Sequence, residues 1–209
     1  MTGSVAAMPR AQAADFWKRQ FDLGGNLPGS WFHSAFGLLT AAAVLKRFSR
    51  DPTRETIASM RAGRNIRPTR RRFERMSVAG VRNMLLSMAT ECLLKALWLK
   101  SGGTLAKDGC YTGILRKNEH RLNELAKAVS GRSGINFTQR ELALLEQASY
   151  WITSGRYPIQ RQHGYLVPFA RPDGSIAPAQ FWHGDPVREL SALIKRLRKA
   201  LRIRFTFDQ

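Results

Sequence analysis

The sequence predicts an all-α protein: a bundle of four to five helices with a basic insert and a small β-hairpin before the last helix. Three observations predict it. Apolar residues recur three and four apart through most of the chain, the spacing of one helical face. Clusters of Gly, Pro and Asp cut those stretches into helix-sized pieces. Only residues 165–182 switch to short apolar runs around a turn. With 209 residues, 44% of them hydrophobic, the chain can bury one core. It has no internal repeat, low-complexity tract or second domain. Residues 1–30 are expected as an N-terminal extension and 31–209 as the helical domain.

Residues 11–22 suit a short helix, which "DLGGNLPGS" should end. Ser30 is positioned to cap the next helix, "WFHSAFGLLTAAAVLKRFSR". Asp51-Pro52 can open another short helix reaching about Ala62. Gly63 and Pro68 then argue against one continuous helix through the arginine-rich residues 61–76. Val78, Val81, Leu85, Met88, Cys92 and Leu99 mark the clearest helix, ended by Gly102-Gly103. Glu91 and Lys95 form an i,i+4 pair on it, in the favourable order. A glycine-containing loop leads to "NEHRLNELAKAVSG". Thr138 and Glu141 make a capping box for a helix burying Leu142, Leu145, Ala148, Ser149 and Ile152, with Gly155 at its end. Arg171-Pro172-Asp173-Gly174 has type I turn chemistry, so residues 165–182 read as a hairpin. Asp185-Pro186 caps the last helix, with Val187, Leu190, Leu193, Leu197 and Leu201 inward and Lys195, Arg196, Arg198, Lys199 and Arg202 on the other face.

Charge sets this chain apart. Its 34 Lys and Arg against 15 Asp and Glu give +19, which predicts attraction to polyanions, nucleic acid first. An acidic protein partner would satisfy the same surface. From Lys46 to Arg82 there are twelve basic and three acidic residues, a net of +9. Arg61, Arg64, Arg67, Arg70, Arg71, Arg72 and Arg75 are interleaved with Ile66, Phe73 and Met76. Arginine favours forked phosphate contacts and stacking on bases, so these residues, with Arg161 and the basic face of the last helix, are the candidate nucleic-acid contacts.

Cys92 and Cys110 show neither metal spacing nor a disulfide framework, which suits the cytoplasm. No signal-peptide pattern opens the chain. The most apolar stretch, "AFGLLTAAAVL", has 11 residues, too few to span a membrane. No metal or other cofactor is expected: no short ligand spacing joins the histidines, and no Gly-rich phosphate loop precedes a helix.

Three strings in order carry a family resemblance: "ATECLLKALWLKSGG", "EHRLNELAKAVSG" and "LEQASYWITSGRYP". Together they resemble the HEPN superfamily of helical nucleotide- and RNA-binding domains. The corresponding positions are Glu91 to Leu97, His120 to Leu125, and Arg156 to His163. The resemblance covers residues 31 to about 204, apart from the arginine-rich insert and the hairpin. It implies a four- or five-helix bundle, commonly a homodimer, and in active members a metal-independent ribonuclease of toxin–antitoxin or antiphage systems. Arg156 would then hold the scissile phosphate and His163 would transfer a proton.

That chemistry is coherent by itself. Cutting RNA without metal requires one group to take the 2′-hydroxyl proton and another to protonate the leaving oxygen. Histidine titrates near neutrality and suits both tasks, while arginine is a permanently charged fork for the phosphorane. Pro158 leaves two geometries open: Arg156 and His163 meeting at the start of a new helical turn, or His163 facing away at the foot of the hairpin. Tyr157 reads as a packing residue near the site. Glu91 is either a solvated partner of Lys95 or a support orienting Arg156 across the bundle. His120 either fixes its helix to a neighbour or adds a second catalytic group. The alternative function is a non-catalytic adaptor of the same fold that binds nucleic acid or a nucleotide.

Overall fold

The computed structural model describes residues 10–48, 62, 70–115, 119–156, 169–170, 176–177 and 185–201. Among them are six helices: α1 (Arg10–Asn26), α2 (Pro28–Lys46), α3 (Arg70–Lys100), α4 (Leu122–Ser133), α5 (Gln139–Arg156) and α6 (Pro186–Leu201). Two antiparallel hairpins accompany them, β1 (Ala106–Lys107) with β2 (Cys110–Tyr111), and β3 (Phe169–Ala170) with β4 (Ile176–Ala177). The protein is therefore all-α with small β excursions, as its apolar periodicity predicts.

Several boundaries differ from the sequence reading, each for a local reason. Helix α1 continues through Gly24 and Gly25 because its end is held from outside. The Asn26 carboxamide accepts the N–H groups of Leu105 (2.7 Å) and Ala106 (3.0 Å) and donates to the Ala106 carbonyl (2.7 Å). Gly25 lies so close to Ala106 that a Cβ there would stand 2.7 Å from its side chain. Helix α2 starts at Pro28, not after Ser30. Its N-cap is Leu27, and a ring with fixed φ and no N–H starts a helix without a side-chain cap. The expected helix over 51–62 lies outside the described residues.

Helix α3 begins at Arg70, so Arg70, Arg71, Arg72 and Arg75 belong to its first turns and not to an insert. The expected glycine-containing loop after α3 instead contains β1–β2, closed by Asp108 (φ 59°) and Gly109 (φ 76°). Two positive φ values at a two-residue Asp-Gly loop are the type I′ pattern, whose twist matches the strands. Helix α4 starts at Leu122, later than expected, and ends with Gly134 in the left-handed region. Helix α5 opens on the predicted capping box, with Glu141 accepting from the Thr138 N–H at 2.9 Å and Thr138 Oγ1 from the Glu141 N–H at 3.2 Å. It runs past Gly155 to Arg156. Asp185 caps α6 by accepting from the Arg188 N–H at 2.9 Å.

The core lies among α2 to α6. Leu93, Leu94, Leu125, Val129, Leu145, Ile152, Leu190 and Leu197 are fully or almost fully buried. Side-chain contacts fix how the helices run. Helices α3 and α4 are parallel: His120 meets Glu91, and eleven residues beyond Arg121, Arg132 donates to the Ser101 and Gly102 carbonyls at the end of α3. Residues 134–138 then turn the chain back, and Ser149 of α5 accepts the Leu122 N–H at 2.8 Å. Helix α5 is thus antiparallel to both. Helix α6 runs with α3, because Lys100 donates to the Ala200 carbonyl at 3.0 Å and to that of Leu201. Taking the end where α3 finishes as the upper one, α5 points Arg156 toward the lower end. The connections 157–184 and 47–69 each begin and finish at described residues in the lower half.

Candidate functional site

A charged cluster sits against the middle of α3. Glu91 and Lys95, one turn apart on the helix, are 7% and 5% exposed. Their ion pair measures 2.7 Å, and the Lys95 ammonium also lies 3.1 Å from Glu119. Two aromatic rings cover that ammonium, Trp31 of α2 at 4.8 Å and Tyr111 of β2 at 5.2 Å. Glu119 accepts the Tyr111 hydroxyl and the N–H groups of Ile114 (2.6 Å) and Leu115 (3.0 Å). The reading of Glu91 and Lys95 as a solvated pair is therefore corrected. Trp31, Tyr111 and Glu119 close over them, and periodicity on α3 gives no sign of elements arriving from 60 residues away.

The second Glu91 oxygen faces His120, whose Nδ1 lies 2.9 Å away. Sequence reasoning named both residues as support; the structure joins them to each other. Burial alone would raise the Glu91 carboxyl, but the His120 hydrogen bond and the Lys95 charge hold it below the usual carboxylate range. Burial likewise works against charge on Lys95 and Glu119. The Glu91 charge nevertheless raises the Lys95 ammonium above its ordinary value, while the Tyr111 hydroxyl and Lys95 lower Glu119. An ionised Glu91 only accepts, so His120 Nδ1 carries the hydrogen between them. The imidazole itself is 43% exposed at its side chain. Glu91 is thus a buried anchor beneath a ring that reaches solvent.

Of the residues assigned to phosphate chemistry, Arg156 is the last of α5. It lies seven positions beyond Ser149, on the same helical face and about 10 Å further down the axis. Helix α3 extends further in that direction. Its first fully buried residue is Leu86, so the turns bearing Arg70, Arg71, Arg72 and Arg75 reach past the core. Arg70 is exposed and pairs with Glu74 at 2.9 Å. Lys46 and Arg47, at the end of α2, are exposed too. Arg61, Arg64, Arg67, Tyr157, Arg161, His163 and Arg202 lie outside the described residues.

The basic face of α6 occupies the other end. Lys195, Arg198 and Lys199 are exposed near the end of α3. Arg196 is engaged within the protein: it pairs with Glu141 at 2.9 Å, donates to the Asn136 carbonyl at 2.9 Å and lies over the Phe137 ring. From Arg70 to Lys100 α3 rises about 45 Å, so the arginines at its start and the cations of α6 form separate surfaces.

Among the described residues no three His, Cys, Asp or Glu side chains gather as a metal site; between Glu91 and Glu119 stands the Lys95 ammonium. No helix among them is long and apolar enough to cross a membrane. No family model, curated protein or solved structure matches the chain.

Proposed function

We propose that the chain is an RNA-binding protein of the HEPN type, acting in the cytoplasm as a metal-independent endoribonuclease in a defence or toxin–antitoxin setting. One observation supports this above the rest: cationic positions from three separate helices collect at the lower end of the bundle. The start of α3 brings Arg70, Arg71, Arg72 and Arg75, the end of α2 brings Lys46 and Arg47, and α5 finishes there on Arg156. Both connections that join this half of the molecule carry the remaining candidates, Arg61, Arg64 and Arg67 in one, Arg161 and His163 in the other. A polyanion finds its highest density of counter-charge there, and binding releases its condensed cations.

In this reading Arg156 holds the phosphate, and stabilises the extra negative charge that develops as the 2′-oxygen attacks. His163 transfers a proton at neutral pH. The products are a 2′,3′-cyclic phosphate and a 5′-hydroxyl. The test is end-labelled RNA incubated with the protein in EDTA, with parallel filter binding at several salt concentrations. Cleavage in EDTA that leaves cyclic ends, and is lost in His163→Ala while binding persists, is expected. Abolition of cutting by EDTA, or undiminished cutting by His163→Ala, overturns it. Salt-sensitive binding with no cutting at all leaves the adaptor as the function.

A further inference from the structure

In-line cleavage of RNA moves two protons, and Arg156 with His163 supplies only one group able to carry one. We propose that His120, anchored by the buried Glu91 carboxylate, is the general base of this reaction. The proposal rests on the ribonuclease reading and deepens it.

The argument is one of placement. A base must meet the 2′-hydroxyl while a cation meets the adjoining phosphate. The segment bearing His120 crosses α5 at Ser149, fixed by the 2.8 Å hydrogen bond from the Leu122 N–H. Arg156 follows on the same face of α5, about 10 Å along, within the combined reach of an arginine and a histidine side chain. The ring is also prepared for the task. With Nδ1–H directed at Glu91, the lone pair of the neutral ring resides on Nε2. The carboxylate steadies the imidazolium once a proton arrives. Glu91 cannot easily turn away, since its other oxygen is held by Lys95 at 2.7 Å, and Lys95 is in turn closed in by Glu119, Trp31 and Tyr111. A contact needed only to pin α4 would not require so deep a support beneath a ring that is 43% exposed.

The step balances. His120 Nε2 takes the 2′-hydroxyl proton as the 2′-oxygen bonds to phosphorus. The P–O5′ bond breaks, and the departing 5′-oxygen takes a proton from the His163 imidazolium. The cyclic phosphate and the 5′-hydroxyl leave, with one proton gained by His120 and one lost by His163. Water-mediated return of that proton resets the pair.

The experiment uses the full chain in EDTA. His120→Asn keeps an N–H donor for Glu91 but cannot carry a proton. It is expected to lower kcat on RNA by about 100-fold or more, the scale of a lost acid–base group. Its Kd for the same RNA bearing 2′-O-methyl groups should stay within about twofold of the parent value, as binding by phosphate contacts requires. Imidazole added to His120→Gly should restore at least about tenfold of the lost rate, which a structural role would not permit. A His120→Asn chain that cuts within about threefold of the parent, or no rescue by imidazole, refutes the assignment. If the parent itself leaves RNA intact in EDTA, the ribonuclease reading has failed and takes this proposal with it. A cutting parent beside an equally active His120→Asn defeats the proposal alone.

Discussion

Replacing Lys95 by methionine tests the buried cluster directly. The substitution keeps the length of the side chain and removes its charge, leaving Glu91 and Glu119 facing each other without the cation between them. Removing one partner of a buried ion pair costs about 3–5 kcal/mol, and the contact with Trp31 adds about 0.5–2 kcal/mol to the loss. Methionine recovers about 1 kcal/mol by burying its own methylenes. A net destabilisation of about 4 kcal/mol follows. With a urea m-value of roughly 3 kcal/mol/M, the unfolding midpoint falls by about 1.3 M. Adding Glu91→Gln to the variant should return about 1–2 kcal/mol, because the double change removes one of the stranded charges.

The pH dependence has a defined sign. Glu91 and Glu119 have folded-state values below the ordinary 4.5. Their contribution is fully present above that value and is lost as pH falls through the lowered folded values. Lys95 is raised above its ordinary 10.5, so its share is present below that pH and lost only as the pH climbs through the raised value. In the methionine variant, the two carboxylates lose the ammonium that depresses them. Its urea midpoint should therefore fall less steeply between about pH 4.5 and pH 2 than that of the parent. A Lys95→Met cost below 1 kcal/mol, the range of exposed pairs, together with an unchanged acid profile, would refute the reasoning.

Two further outcomes follow from the fold. Asn26→Ala removes three hydrogen bonds that tie the end of α1 to residues 105–106. It should cost about 2–3 kcal/mol, and hydrogen exchange at the Leu105 and Ala106 amides should quicken before that of the α3 core. Thiol reagents should distinguish the cysteines: exposed Cys110 reacts readily in the native protein, whereas Cys92, pushed up to about 11 chiefly by burial, labels only as the protein unfolds. Equal rates at pH 8 would contradict its packing against the core.

The helical character was legible because burial in a bundle imposes a period that single residues report. Leu145, Ala148 and Ile152, or Leu190, Leu193 and Leu197, repeat at the spacing that brings them to one side of a helix, and the structure buries them all. Local chemistry was equally readable where both partners lie within one turn, as in the capping box of Thr138 and Glu141 or the cap supplied by Asp185. The Asp108-Gly109 turn was written just as plainly, although the apolar pattern alone passes over it. Boundaries set by distant residues were not legible. Gly24-Gly25 reads as a break until Asn26 is seen bonded to residues 80 positions away.

The candidate site divides along the same line. Sequence by itself determined the excess of +19, the concentration of arginine before residue 76, and the pairing of Glu91 with Lys95 on one helical face. Those properties depend on composition and on a single helix. Only the tertiary structure decided that this pair is buried, that His120 and not solvent takes its remaining oxygen, and that the cations of α3 and α6 lie at opposite ends. The reason is physical: the cost of burying a charge depends on what closes over it. Here Trp31, Tyr111, Glu119 and His120 arrive from three other parts of the chain, which no local pattern on α3 could announce.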